Sequence, residues 1–163
     1  MTGARELLDA VRAELAAAAV PQEALGRHAA PGRLLRRAPR IERAGSAWRL
    51  GVLLLTSDGD VLGVGEVVRA VEDARRGYAA VSARARAEEG AAAVRGGFQP
   101  GETVHVGWTA LDLDAVERGE ASGPLLVADG VPMVRWSRTG APAPLDAYVR
   151  ERVDLLKHPP EPA

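Results

Sequence analysis

The chain contains no cysteine among its 163 residues. That excludes disulfides, thiolate metal sites and a thiol nucleophile. Lysine is nearly as scarce: Lys157 is the only one, next to the proline-rich end. One lysine in that place leaves no P-loop lysine, no Ser-x-x-Lys dyad and no well-placed Schiff-base lysine. Nothing fits G-x-S-x-G. Aromatics make up 4%, so the core must be built mainly from Leu, Val and Ala. The formal net charge is −1, so no global field draws in nucleic acid or an anionic membrane. No stretch approaches the roughly 20 apolar residues that span a bilayer. Glu6, Asp9, Arg12 and Glu14 interrupt the N-terminal apolar run, which argues against a signal peptide. A cytoplasmic protein is the expectation. Arginine is plentiful, while Ile41 is the only isoleucine and asparagine is missing. That skew fits a GC-rich genome such as an actinobacterium's, so arginine abundance alone says little about function.

What remains is organised as hairpins between helices. Residues 3–19 read as a helix with Thr2 as cap and Leu7, Leu8, Val11 and Leu15 on one face. Pro21 ends it, and a further helical turn is expected through Leu25. Residues 34–42 read as a strand, demoted to an edge by Pro39, and Ala44-Gly45-Ser46 as a turn. Trp48 to Leu55 and Val61 to Val68 read as two strands about an Asp58-Gly59 turn. Residues 82–95 read as a helix capped by Ser82 and stopped by Gly96-Gly97, with Phe98 folding back. Thr103 to Leu111 alternates like a strand, and Asp114 to Glu117 resembles a capping box. Leu125 to Ala128 and Val131 to Trp136 flank Asp129-Gly130 as another hairpin. Residues 144–157 form a last helix with Leu145, Tyr148, Val149, Val153 and Leu156 as its apolar stripe. The expectation is one domain over 1–163: a helical segment 1–30, an α+β core 33–157 and an extended tail 158–163. Its sheet or partial barrel should be mainly antiparallel, with five or six strands and helices at the N-terminus, middle and C-terminus.

Centring the first hairpin on Asp58-Gly59 sets Leu55 opposite Leu62, Leu53 opposite Val64 and Gly51 opposite Glu66. Glu66 then shares a face with Leu62, Val64 and Val68, and a buried carboxylate there needs a partner. The register offers Arg49, diagonally across the same face. A structural Arg49–Glu66 bridge is one reading of Glu66, and a functional acid in a pocket is the other. A one-residue slip would exchange both faces. Gly63-Val64-Gly65 begins like a dinucleotide loop but lacks the third glycine and lies within a strand. Both glycines share the face of Trp48, whose ring could lie across them.

Three histidines are present, none at metal-ligand spacing, and no metal or cofactor is expected. His105 lies mid-strand between Val104 and Val106, facing away from both, and is the best general-base candidate if that face opens on a cleft. Otherwise it is a structural histidine. His28 and His158 lie in connecting or terminal segments. Asp112 and Asp114 form a D-x-D that could hold a hard cation, although a helix cap accounts for Asp114 as well. Asp58 and Asp60 are turn residues. Arg27, Arg33, Arg36, Arg37, Arg40 and Arg43 cluster with only Glu42 against them. The cluster suggests an anionic partner or a solvated edge. Nucleic acid is disfavoured because no aromatics interleave before Trp48.

The run Trp48 to Leu55, the segment Gly65 to Ala70, Arg95 to Phe98 with Gly101 to Thr103, and the ending Glu151 to Leu156 with His158 to Pro160 carry a resemblance. Together they resemble a group of small uncharacterised actinobacterial proteins sometimes labelled glutaminase. The resemblance implies amide hydrolysis. Serine-dependent glutaminases use Ser-x-x-Lys and glutamine amidotransferases use cysteine, and this chain has neither, so no functional residue carries over. The leading expectation is a non-enzymatic binding module for an unknown protein or anionic ligand, with Arg33, Arg36, Arg37, Arg40 and Arg43 as contact surface. The alternative is a small hydrolase or lyase using His105 with Glu66 or Asp112. A structural homo-oligomer is a third reading.

Overall fold

A computed structural model describes residues 2–30, 38–72 and 80–162. The architecture is α+β, with a large mixed sheet, a small antiparallel sheet, and helices at N-terminal, middle and C-terminal positions. The chain condenses into two compact units. One comprises Met1–Gln22, Ala47–Val64 and Thr109–Ala163, and the other Glu23–Ser46 and Gly65–Trp108.

In the first unit, helix α1 (Ala4–Ala17) buries Leu8, Val11 and Leu15 of the expected stripe together with Ala4, while Leu7 is only partly buried. Its cap is not Thr2. Gly3 is the N-cap without a side-chain bond, and Glu117 accepts the Arg5 N–H from elsewhere in the fold. Strand β2 (Ile41–Leu50) spans the expected Ala44–Ser46 turn without breaking. It meets β3 (Leu53–Leu55) through Gly51-Val52, with Leu50 opposite Leu53 and Trp48 opposite Leu55. Trp48 to Leu55 is therefore a tight hairpin rather than one strand. Gly51 has φ +62 at the first loop position, as a type II′ turn requires.

The next turn also differs by one residue. Thr56 and Asp60 close a three-residue loop, the Thr56 N–H donating to the Asp60 carbonyl and the Asp60 N–H to the Thr56 hydroxyl. Leu55 consequently faces Val61, Leu54 faces Leu62 and Leu53 faces Gly63 along β4 (Val61–Gly63). This is the one-residue slip, and it exchanges the faces. Leu53, Leu55 and Val61 join Trp48 and Leu50 in the core, while Leu62 points the other way. Strand β4 then pairs with β7 (Thr109–Ala110). The expected strand Val61 to Val68 ends at Gly63, and Glu66 belongs to a different strand of the second unit. With the expected strands Trp48 to Leu55, Val61 to Val68 and Thr103 to Leu111 each breaking in two, the described residues hold more and shorter strands than the five or six expected.

Local signals held elsewhere in this unit. Strands β8 (Leu125–Ala128) and β9 (Val131–Val134) close around Asp129-Gly130, both at positive φ as a type I′ turn demands. Strand β10 (Ala143–Pro144) completes the small sheet in the order β10-β9-β8. Helix α4 (Leu145–Lys157) buries Leu145, Tyr148, Val149 and Val153, and Arg150 pairs with Asp146 at 2.7 Å. Helix α3 (Leu113–Glu117) starts two residues earlier than the capping box implied. Asp112 is its cap, accepting the Ala115 N–H at 3.0 Å.

The second unit carries the hydrogen-bonded order β5-β6-β1-β2, from β5 (Glu66–Arg69), β6 (Thr103–Val106), β1 (Glu23–His28) and β2. The helical turn expected up to Leu25 is strand β1, parallel to β6 with Leu25 beside His105. Helix α2 (Val81–Arg95) needs no Ser82 cap, since Ala80 is its N-cap without a side-chain bond. It ends as the glycines forecast. The Phe98 N–H reaches the Ala93 carbonyl and the Gly97 N–H reaches that of Val94, which is a Schellman closure. Phe98 then packs into a core with Ile41, Val68, Ala92, Ala93, Val104 and Val106. Gly96 is required for close approach: a Cβ there would lie 1.6 Å from the Ile41 carbonyl oxygen.

Candidate functional site

Strand β6 runs between β5 and β1, so His105 has Val67 on one side and Leu25 on the other. Val104 and Val106 alternate to the opposite face and enter the α2 core. His105 is fully buried, at 0% exposure. Its Nε2 meets the carboxylate of Glu23, which stands at the start of β1 and is 40% exposed. The imidazole Nδ1 is buried and without a partner among the described residues. A buried polar atom without a partner is costly, and native folds keep few of them.

The partner acid is neither Glu66 nor Asp112. Glu66 is exposed, pairs with Val106 across β5–β6 and lies on the rim of a groove between β5 and α2. Asp112 is committed to capping α3. The Arg49–Glu66 bridge depended on a register that the three-residue loop removes. Arg49 instead donates to the Gly51 carbonyl at 3.3 Å. The glycines are not a platform for Trp48 either. A Cβ at Gly63 would meet Leu111 and Pro124, and one at Gly65 would strike the backbone of Val106 and Gly107. The Trp48 indole donates to the Val20 carbonyl at 2.8 Å.

Glu23 escaped the sequence reading because its segment, with Glu, Ala and Leu, favours a helix on propensity alone. Ala24, Leu25 and Gly26 are buried in succession, so no alternation marks a strand. Only the pairing with β6 reveals one. Farther along β1, Arg27 lies over the Trp108 ring at 5.2 Å, and the Trp108 indole donates to the Gly26 carbonyl at 3.2 Å. His28 meets Glu89 at 2.7 Å. His158 follows α4 as its exposed C-cap residue.

Of the proposed anion edge, Arg33, Arg36 and Arg37 lie outside the described residues. Arg40 donates to the Arg95 carbonyl at 3.0 Å. Arg43 donates to Glu102 at 2.9 Å and lies over the Phe98 ring at 4.4 Å. Partial burial alone would raise the Glu102 pKa. The Gln99 N–H, with the Arg43 hydrogen bond and charge, outweighs that and holds it below its ordinary value. Among the described residues no group of three His, Asp or Glu is arranged to hold a metal ion, and no helix is long and apolar enough to cross a membrane.

Comparison with known protein families, curated proteins and solved structures finds no match to this chain.

Proposed function

We propose that the protein is a small hydrolase or lyase whose acid–base pair is His105 and Glu23. The observation that carries this reading is the buried imidazole, bonded to a carboxylate through Nε2 and with an Nδ1 that has no partner among the described residues. If Nε2–H donates to Glu23, the proton is absent from Nδ1 and that nitrogen is the basic one. Because Nδ1 is buried, a water molecule or carbon acid would give up its proton there only when a local opening of the structure uncovers it. The Glu23 carboxylate would hold the ring in that tautomer and stabilise the imidazolium that forms, as carboxylates do in hydrolytic triads. The composition supports a cytoplasmic setting in a GC-rich bacterium. A binding module using the arginine edge draws less support, because Arg40 and Arg43 already have protein partners.

The test is turnover of a panel containing L-glutamine, 4-nitrophenyl acetate and a β-hydroxy acid prone to dehydration. Glutamine is included because the sequence resemblance implies amide hydrolysis. One member should be turned over, with His105→Gln lowering the rate about 10²–10⁴-fold and Glu23→Gln lowering it less. Nitrogen-15 spectra of the ring should show the proton on Nε2. Turnover that survives His105→Gln, or a proton on Nδ1 alone, would overturn the reading.

A further inference from the structure

We propose that strand β5 docks an extended segment of a partner protein as an additional strand. The segment carries an acidic residue, two apolar residues and a basic residue, in that order. This site lies wholly within the second unit and does not rest on the acid–base reading of His105.

Strand β5 ends the hydrogen-bonded order β5-β6-β1-β2, so one of its edges has no strand partner among the described residues. The backbone groups on that edge follow from the ladder. The Ala70 N–H donates to the Glu102 carbonyl at 3.0 Å, and the Ala70 carbonyl accepts the Gly101 N–H at 2.7 Å, so Ala70 faces β6. Antiparallel pairing alternates along the strand. Glu66 and Val68 therefore face β6 as well, while the N–H and C=O groups of Val67 and Arg69 point outward. Val71 is the next outward residue, and its N–H donates to the Gly90 carbonyl of α2 at 3.2 Å. The helix closes that end of the edge because position 90 is glycine: a Cβ there would lie 2.7 Å from the Arg69 carbonyl oxygen.

Between β5 and the earlier turns of α2 lies a groove of about 740 Å³. Val67 and Val71 line it, 48% and 43% exposed, and Val81 at the start of α2 is 84% exposed. These are three of the five large hydrophobic side chains left exposed among the described residues. Outward N–H and C=O groups are matched by another extended backbone, the basis of recognition at sheet edges. The charges select its sequence. Glu66 and Glu89 stand against Arg69 and Arg86 around the groove, so no net field favours a polyanion. An antiparallel segment meets Arg69 first and Glu66 three residues later, which requires acid first and base last. The two positions between them oppose Val68 and Val67, where apolar residues pair best. A symmetric second copy cannot supply this arrangement, although β5 itself reads Glu-Val-Val-Arg. A two-fold axis normal to the sheet keeps each residue on its own face, and Glu66 and Arg69 lie on opposite faces.

The test is amide NMR of the full chain titrated with the acetylated, amidated peptide Thr-Glu-Val-Val-Arg-Thr. In the free protein the Val67 and Arg69 amides should exchange rapidly with solvent. The peptide should shift both signals and slow their exchange. The charge-swapped peptide Thr-Arg-Val-Val-Glu-Thr should bind at least about threefold more weakly, from two cross-strand charge pairs. The double variant Glu66→Arg with Arg69→Glu should reverse that preference, and both residues are exposed, so the fold tolerates the exchange. Protected Val67 and Arg69 amides in the free monomer, no shift with either peptide, or the same preference in both proteins would overturn the proposal. Self-association that protects the two amides as protein concentration rises assigns the edge to a second copy, and overturns it too.

Discussion

Replacing Gly51 with alanine should be among the most damaging single-methyl additions in the chain, for two separable reasons. The first is backbone conformation. At φ +62 an L side chain costs about 1–2 kcal/mol. The second is Tyr148, whose oxygen would lie 1.9 Å from the new Cβ. The ring must then withdraw, and the Val52 N–H loses its acceptor. Leaving that partly buried donor unsatisfied costs about 1–3 kcal/mol. Together the two effects predict a loss of about 2–5 kcal/mol. The Tyr148→Phe variant separates them, because it deletes the oxygen and costs about 1–3 kcal/mol on its own. In that background Gly51→Ala should cost less, because the 1.9 Å clash is gone and only the ring Cζ, 2.9 Å from the added Cβ, has to give way. Four urea titrations complete the cycle, with stability read from midpoint and slope. A coupling of at least about 1 kcal/mol is expected. If Gly51→Ala costs the same with and without the hydroxyl, the packing explanation of the turn is wrong.

Two further outcomes follow from the second unit. Gly96→Ala should destabilise by about 3 kcal/mol or more, since its Cβ would strike the Ile41 carbonyl at 1.6 Å. Gly97→Ala should cost only about 1–2 kcal/mol, because it meets open space and suffers only from φ +103. Equal losses at the two sites, measured in urea, would remove the close approach of α2 to β2 as the cause. Glu102 gives a pH dependence: its folded pKa lies below the ordinary 4.5. A depressed carboxylate contributes stability in full above its unfolded pKa, and that contribution fades as pH falls through the folded value. Carboxyl NMR should show Glu102 titrating below 4.5, and Arg43→Gln should raise its midpoint. An unchanged midpoint in the variant would refute the ion pair's role.

The sequence by itself determined the elements whose causes lie within a few neighbouring residues. Helix α4 follows from the spacing of Leu145, Tyr148, Val149 and Val153, and the end of α2 from Gly96-Gly97-Phe98. The β8–β9 hairpin follows from Asp129-Gly130, whose backbone preference selects one turn. The absence of cysteine and the misplaced lysine excluded whole classes of chemistry before any fold was known. Other features depended on contacts between distant segments, and there local reading failed. The first hairpin keeps its Asp58-Gly59 turn, but one additional loop residue slipped the register and removed the Arg49–Glu66 pair. Burial of Leu53, Leu55 and Val61 beside Trp48 agrees with that register, and no dipeptide preference could specify it. Strand β1 exists because β6 pairs with it, against the helical leaning of its own residues. His105 could be singled out from its place among valines, whereas its acid could not be chosen by proximity in sequence. Glu23 stands 82 positions away and reaches His105 only because parallel strands bring their corresponding ends together.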